Sequence, residues 1–505
     1  MFKFIIDQAV KFRWFVVLVT ALVAAYGLLE LTRLPIDAVP DITNRQVQVT
    51  TVAPALAPEQ IERQVTYPIE TAMAGIPGLT STRSLSRNGF SQVTVIFTDR
   101  TDIYFARQQV AERLAQARET MPEGVEPALA PITTGLGEVL MWTVDYKPFN
   151  SANLAKSGQP GWQAGGAYLT PEGDLLTTPQ QRTTYLRTVQ DWIVAPQMRT
   201  TPGLAGVDTV GGYVKEYGVR PDPARLSAYG LGMGDLIQAL DRANTQAGAG
   251  YVQRAGEALT VRTDALASTV DDLAQAPVVN RNGLVVRVAD VATVEIGQAP
   301  RLGGASRDGH EAVLGTALMI AGGNSRTVAQ AAGERLEEVR KTLPAGIEAV
   351  TVLDRSALVN STISTVARNL TEGALLVIVV LFLLLGNIRA ATIAALMIPI
   401  SFLFAVIGMN RFGISGNLMS LGALDFGLLV DGAVVVVENT LLRLSQRRAE
   451  AGRMLTRSER LGVAVAAARQ MVKPAAFGQL IILLVFTPLL MLEGVEGKTF
   501  IPMGA

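Results

Sequence analysis

LDFGLLVDGAVVVVEN, residues 424–439, combines a membrane-like apolar composition with three carboxylates: Asp425, Asp431 and Glu438. Insertion scales assign about 2.5–3.5 kcal/mol to a charged side chain at the centre of a membrane-spanning helix. Carboxylates that are retained at such a cost usually mark an ion or proton pathway. The three residues are therefore the first candidates for a functional site.

Helical geometry relates the three acids to one another. Asp431 and Glu438 are seven residues apart, so a helix places them within about 20° of one face and about 10 Å apart along its axis. Asp425 lies about 120° around the helix from Asp431. Burial raises the pKa of a carboxyl toward neutrality, so such a row predicts a proton relay. A buried ion pair between helices is the structural alternative, although the predicted spans offer few Lys or Arg partners.

Five apolar stretches are long enough to cross a bilayer, which takes about 20 residues in a helix. They are residues 14–32, 373–388, 390–409, 418–442 and 474–493. In the last stretch, Pro474 stands at the start and Pro488 predicts a kink. A signal peptide is the alternative for the first stretch, but no small-residue cleavage site follows it.

Basic residues predict the orientation of these spans. Lys3, Lys11 and Arg13 precede the first one, and residues 443–473 contain many more Lys and Arg than Glu. The positive-inside rule places both segments in the cytoplasm and residues 33–365 outside.

The composition of the 505-residue chain excludes several classes of protein. Charged residues make up 17% and hydrophobic residues 49%, a balance that favours a partly membrane-embedded protein. A net charge of zero does not point to a nucleic-acid partner. The absence of cysteine excludes disulfides and thiolate metal sites, and a single histidine excludes a His-based zinc enzyme.

The external region contains a repeated pattern. Residues 45–135 alternate as strand, helix, hairpin, helix and strand, which is the βαββαβ order of the ferredoxin-like unit. ERLAQARETMPEGVE (112–126) and ERLEEVRKTLPAGIE (334–348) share eight identical positions. We therefore predict two copies of this unit, the second of them interrupted by an insertion over 208–298.

Several motifs together resemble the resistance–nodulation–division superfamily. They are LPIDAVPDITNRQVQV (34–49), YPIETAMAGIPGL (67–79), NLMSLGALDFG (417–427), DFGLLVDGAVVVVEN (425–439) and GQLII (478–482). The DG-A-V form after the second Asp resembles the heavy-metal efflux branch, that of the cobalt–zinc–cadmium resistance pumps, rather than the copper and silver branch. On this resemblance the chain looks like the N-terminal half of such a pump.

The resemblance implies a domain organisation. The fold class is an α-helical membrane bundle plus an external α+β region, built from ferredoxin-like porter subdomains with an inserted docking subdomain. The implied segments are a cytoplasmic N-terminus and first transmembrane helix (1–32), porter subdomain 1 (33–135), porter subdomain 2 (136–207 and 299–362), the docking subdomain (208–298), and transmembrane helices 2–5 with the start of a sixth in a chain that looks truncated (363–505).

The resemblance also implies a function, which is proton-driven efflux of divalent heavy-metal cations by a transporter rather than an enzyme. Asp425, Asp431 and Glu438 match the proton-translocation triad of the superfamily, whose lysine partner would lie in the second half. Such pumps are homotrimers in the bacterial inner membrane, with a large periplasmic region. They work with a periplasmic adaptor and an outer-membrane channel, and without a cofactor besides the transported ion and protons.

Two alternative functions stay open on the residues alone. A pump for organic compounds would need an aromatic-lined cleft, and aromatic residues make up only 6% of the chain. An intramembrane aspartyl protease would need membrane Asp residues on two helices, whereas Asp425 and Asp431 lie on one segment.

Carboxylates are the main metal ligands that this chain offers, because they suit divalent ions in the absence of cysteine. Glu138, Asp174 and Asp145 are the candidates, with solvated surface acids as the alternative. The scattered methionines do not indicate a copper(I) site. His310, in the turn RDGHE, is predicted to be a solvated loop residue.

Overall fold

The computed structural model describes most of the chain, but not residues 418–425. The described residues are 2–37, 40–53, 56–150, 153–245, 248–254, 256–262, 266–281, 283–301, 303–417 and 426–504. The side chains at 418–431 also lie outside the described set.

The first external unit has the predicted βαββαβ order. Its elements are β1 (Arg45–Val52), α3 (Pro58–Ile61), a π-helical turn (Glu62–Thr66), α4 (Tyr67–Met73), β2 (Leu79–Arg87), β3 (Phe90–Phe97), α5 (Ile103–Arg118) and β4 (Glu126–Leu129). The antiparallel sheet has the order β2-β3-β1-β4. Alternate β1 side chains, including Val47 and Val49, are buried under the two helical segments, as the period of a strand requires.

The second unit repeats this topology. Its elements are β5 (Glu138–Tyr146), α6 (Pro179–Val189), a π-helical turn (Gln190–Val194), α7 (Ala195–Arg199), β9 (Leu204–Val210), β17 (His310–Met319), α12 (Ser325–Arg340) and β18 (Ile347–Asp354). The order β9-β17-β5-β18 matches the first sheet strand for strand. A small sheet of β6 (Gly161–Trp162), β7 (Tyr168–Leu169) and β8 (Leu175–Leu176) lies between β5 and α6 in the chain. The edge strand β16 (Ala305–Arg307) forms a hairpin with β17.

The shared sequence of the two units preserves one arginine contact. Arg118 at the end of α5 donates to the carbonyl of Pro127 at 3.5 Å, and Arg340 at the end of α12 donates to the carbonyl of Ala349 at 2.7 Å. The two helices have 16 residues each. This contact ties each helix end to the strand that follows it, which explains why the arginine occurs in both copies.

The helix–strand turn is also the same in both copies. The hydroxyls of Thr120 and Thr342 donate to the carbonyls of the third residue before them, each at 2.8 Å. Gly124 and Gly346 share a φ of 82°, in the left-handed region where a side chain is strained. These repeated residues therefore shape the turn, whereas the repeated Leu114 and Leu336 are buried in the two cores.

The insertion forms its own small unit between β9 and β16. It contains β10 (Lys215–Pro221), α8 (Pro223–Ala228), α9 (Met233–Ala243), β11 (Gly248–Arg254), β12 (Glu257–Arg262), α10 (Val270–Gln275), β13 (Pro277–Arg281), β14 (Leu284–Arg287), α11 (Val288–Val291) and β15 (Ala292–Gln298). β10 pairs with β15, so the insertion leaves and re-enters the second unit on adjacent strands. Leu226, Leu236 and Val288 belong to its separate core.

Long helices account for most of the remaining residues. They are α1 (Phe2–Lys11), α2 (Arg13–Arg33), α13 (Arg355–Leu385), α14 (Ile388–Phe412), α15 (Phe426–Ala451), α16 (Arg457–Phe486) and α17 (Gly494–Gly504). By length and composition, four candidate spans occur among the described residues: Arg13–Arg33, Arg355–Val380, Ile388–Phe412 and Arg457–Met491. The predicted span 418–442 falls partly outside the described residues, and α15 contains the rest of it.

The predicted helix boundaries need correction. α13 begins 18 residues before the predicted start at 373, because Asp354 caps its N-terminus. α16 begins at Arg457, where Thr456 and Glu459 form a capping box, so Pro474 lies inside the helix. The helix ends at Phe486 and passes into a 3₁₀ turn that contains Pro488, so this proline ends the helix instead of kinking it.

Contacts at the two ends of the helices define their arrangement. Near the α/β units, Ile36 forms a parallel bridge with Gly416, and Lys498 of α17 pairs with Asp99 at 2.7 Å. At the other end, Arg469 of α16 forms an ion pair with Asp7 of α1. The α/β units therefore lie at one end of the helices and α1 at the opposite end.

A polar contact joins α2 to α14. The side-chain amide of Asn410 donates to both the backbone carbonyl and the carboxylate of Glu30, each at 2.8 Å. Glu30 is buried, and Gly27, one turn earlier, allows the close approach because a Cβ there would lie 2.7 Å from the Cβ of Leu403. Small residues permit such close packing between membrane helices.

Replacing Asn410 with leucine should destabilise the helix pair by about 1–3 kcal/mol, because the buried Glu30 carboxylate then loses its donor at 2.8 Å and keeps the one from Arg33 at 3.4 Å. Thermal unfolding of the detergent-purified protein measures the change. Arg411→Leu is the matched control, since Arg411 is exposed at the next position of the helix. Equal unfolding temperatures for the two variants would contradict a stabilising role for the contact.

Candidate proton and metal sites

The acidic row lies on α15 as far as the structure describes it. Asp431 and Glu438 belong to one continuous helix, so their spacing places them on nearly the same face, about 10 Å apart along the axis. The side chain of Asp431 lies outside the described residues, as does Asp425 altogether. The prediction that Asp431 and Glu438 share a helix is confirmed, whereas the direction of Asp425 stays a prediction.

Glu438 is exposed on the described part of the chain. The next residue, Asn439, packs toward α16, where its side-chain amide donates to the carbonyl of Ala467 at 3.1 Å. No ion pair to Glu438 occurs among the described residues. Glu438 is therefore exposed beside the contact of α15 with α16, while Val434, one turn earlier on α15, packs against α14.

The three predicted metal ligands do not lie together. Glu138 is the exposed first residue of β5, and Asp145 is seven residues further along the same strand, about 23 Å away at the rise of a strand. Asp174 is exposed in the turn between β7 and β8, where its backbone N–H donates to the hydroxyl of Thr170 at 3.1 Å. Within the described ranges, no group of three or more His, Cys, Asp or Glu side chains could hold a metal ion.

Asp145 is the buried member of the three candidates. Its Oδ1 accepts a hydrogen bond from the backbone N–H of Tyr146 at 2.7 Å, and its Oδ2 lies 3.4 Å from Nε2 of His310. Burial raises the pKa of the Asp145 carboxyl above its ordinary value, and the Tyr146 hydrogen bond and the nearby charges of His310 and Arg307 oppose that rise. Asp145 is therefore a carboxylate with one oxygen held by the backbone and the other facing an imidazole.

The prediction for His310 was incomplete. Its side chain is 62% exposed, but it is the first residue of β17 and faces Asp145. The contact depends on the pairing of Val313 with Val144 in the β17–β5 ladder. The sequence carries no local signal for this contact, because 165 residues separate the two side chains.

Asp145 and His310 open into a cavity of about 540 Å³. Trp162 and Tyr146 form part of its wall, with ring centroids 5.1 Å apart, and Tyr168 packs edge-on against Tyr146 at 4.8 Å. Burial raises the pKa of the Tyr146 and Tyr168 phenols above their ordinary value. The hydroxyl of Tyr168 donates to the carbonyl of Ala345 at 2.7 Å. The aromatic side chains of the wall therefore pack against one another.

Comparison with known proteins identifies relatives of this chain. The model of the AcrB/AcrD/AcrF family matches residues 1–505. The nickel-cobalt-cadmium resistance protein NccA of Alcaligenes xylosoxydans xylosoxydans is 55% identical over 504 residues, which cover 100% of this chain and 47% of that protein. The cobalt-zinc-cadmium resistance protein CzcA of Cupriavidus metallidurans is 49% identical over 503 residues, which cover 100% of this chain and 45% of that protein.

The solved structure of a heavy metal efflux pump, in crystal form II, has the same fold. The TM-score is 0.82 at 31% sequence identity, and the match covers 99% of this chain and 46% of that one. The chain spans about half the length of the curated relatives that it matches. These matches confirm the predicted resemblance to the heavy-metal efflux branch.

Proposed function

Because the chain belongs to the AcrB/AcrD/AcrF family, we propose that it forms part of a proton-driven exporter of divalent heavy-metal cations. The observation that carries the proposal is 55% identity along the whole chain to a protein named for nickel, cobalt and cadmium resistance. The family consists of efflux transporters rather than enzymes. The proposed cargo ions are nickel, cobalt, cadmium and zinc.

The acidic row of α15 would carry the protons. Asp431 and Glu438 lie on one face of a single helix, and Asp425 precedes that helix in the sequence. Carboxylates within a membrane segment can take up a proton on one side and release it on the other as their environment changes. The exposed face around Glu438 is where a basic partner would neutralise the row.

The two repeated units would form porter subdomains, at 33–135 and at 136–207 with 299–362, and the insertion at 208–298 would form the docking subdomain. Their matching strand orders support the first assignment. The separate core of the insertion and its adjacent entry and exit strands support the second. All three units would lie in the periplasm, with the helices in the bacterial inner membrane.

The exporter would act as a homotrimer with a periplasmic adaptor and an outer-membrane channel, as pumps of this superfamily generally do. Glu138 and Asp174 would each contribute one ligand to cargo sites that other parts of the protein complete. Their exposure supports this role, since exposed carboxylates can exchange a cation with solvent.

The substrate class can be tested in metal-sensitive bacteria that express the protein containing this chain together with its adaptor and outer-membrane channel. We expect higher tolerated concentrations of nickel, cobalt, cadmium or zinc, and no change for silver or a lipophilic dye. Carboxylate ligands favour the harder divalent ions over silver, which explains the expected difference. Protection against the dye alone would contradict the proposal and support a pump for organic compounds.

A further inference from the structure

We propose that Asp145 and His310 together bind a divalent transition-metal ion in the cavity that they share. A carboxylate oxygen and an imidazole nitrogen are ordinary ligands for zinc, cobalt and nickel. The site is distinct from Glu138, about 23 Å away along β5, and it uses the one histidine of the chain. The choice of metal class rests on the proposed function, but the binding itself does not.

The separation of the two ligand atoms matches a shared metal ion. Metal–nitrogen and metal–oxygen bonds of about 2.1 Å, at a tetrahedral angle, hold the two ligand atoms about 3.4 Å apart. Nε2 of His310 and Oδ2 of Asp145 are 3.4 Å apart. A charge-assisted hydrogen bond between such groups would be shorter, at about 2.7–2.9 Å. The distance between the two ligand atoms therefore fits a shared ion.

The surroundings of Asp145 orient it for this role. The backbone N–H of Tyr146 occupies Oδ1 at 2.7 Å and leaves Oδ2 facing His310. Hydrogen bonds of this kind to a ligating carboxylate fix its orientation and support metal affinity. Asp145 pairs with Glu348 in the β5–β18 ladder, and His310 pairs with Arg307 in the β16–β17 hairpin. The two ligands are therefore pre-positioned by regular structure rather than by a flexible loop.

The other charged groups of the cavity have partners of their own, with one exception. Arg182 is held by the carbonyls of Gly166 and Thr177 at 3.3 and 3.1 Å. Oε1 of Glu311 lies 2.8 Å from Nη2 of Arg301. The two side chains form an ion pair, although the geometry is not that of a hydrogen bond. Lys147 also lines the cavity and lowers the affinity for a cation. With two protein ligands and room for water, the site would bind its ion reversibly.

Metal titration of the purified full chain tests the inference. We expect zinc chloride to shift the imidazole NMR signals of the one histidine. We also expect His310→Ala and Asp145→Asn each to weaken zinc or cobalt binding at this site by at least about tenfold, as loss of a supporting group alone does. Asp308→Asn is the matched control, because Asp308 is in the same turn and its side chain is 76% exposed. Its affinity should stay that of the unmodified chain.

Two results would overturn the inference. One is an imidazole signal that zinc leaves unchanged, and the other is equal metal affinity in all three variants. Thermal unfolding of each variant shows whether it is folded, and Asp145→Asn keeps the acceptor for the Tyr146 N–H. Export plays no part in this measurement, so binding without metal tolerance in cells would contradict only the proposed function. Metal tolerance without binding at His310 would contradict only this inference.

Discussion

Replacing Asp431 with asparagine should reduce the metal tolerance of cells to that of cells lacking the protein. Asparagine has nearly the shape of aspartate but does not take up or release a proton at physiological pH. A relay on α15 would therefore be interrupted at its centre, while the helix Phe426–Ala451 keeps its packing. The measurement is the tolerated concentration of nickel, cobalt, cadmium and zinc, together with the amount of protein in the membrane.

Glu450→Gln is the matched control for this experiment. Glu450 lies on the same helix, and its carboxylate forms an exposed ion pair with Arg447 at 2.7 Å. Exposed pairs contribute about 0–1 kcal/mol, so tolerance should stay normal. Normal tolerance in Asp431→Asn at unchanged membrane levels would rule out a proton relay through Asp431.

Replacing Trp142 with alanine should lower the free energy of unfolding of the second external unit by about 3–5 kcal/mol. The indole is completely buried at the centre of the core between the sheet and its helices. Its Nε1 donates to Oε1 of Gln190 at 2.9 Å. The variant therefore leaves a cavity and leaves Oε1 of the buried Gln190 without its donor.

Gly315 shows how closely the indole is packed. A Cβ at this position would lie 2.4 Å from Cε2 of Trp142, so only glycine fits on the paired strand. A site that is packed this tightly on a regular strand has little freedom to collapse into the cavity left by alanine. The loss should therefore reach the upper part of the range for large-to-small substitutions.

Thermal unfolding followed by circular dichroism checks this prediction, with Trp192→Ala as the control. Trp192 is 78% exposed and only a short distance along the chain from Gln190. Its removal should change the unfolding temperature little, because most of its surface already meets solvent. Similar losses in the two variants would show that the core does not depend on the Trp142 indole.

The extent of the helices was predictable only in part. The apolar stretches were found from composition, but their polar extensions were not, because hydropathy does not report a helix that continues beyond the apolar segment. One local signal for α16 was available in the sequence, since Thr456 and Glu459 have the spacing of a capping box. No such signal marks the contact of Glu30 with Asn410, because 380 residues separate them.

Sequence spacing by itself determined that Asp431 and Glu438 share a helix, and internal identity determined the repeated unit. Both depend on spacing within one element or on turn residues such as Gly124 and Gly346, which act through local backbone geometry. Only the tertiary structure decided that Asp145 faces His310 and that Glu138 lies far from both. Which side chains meet across a sheet depends on strand order and register, and these are set by packing of the whole unit.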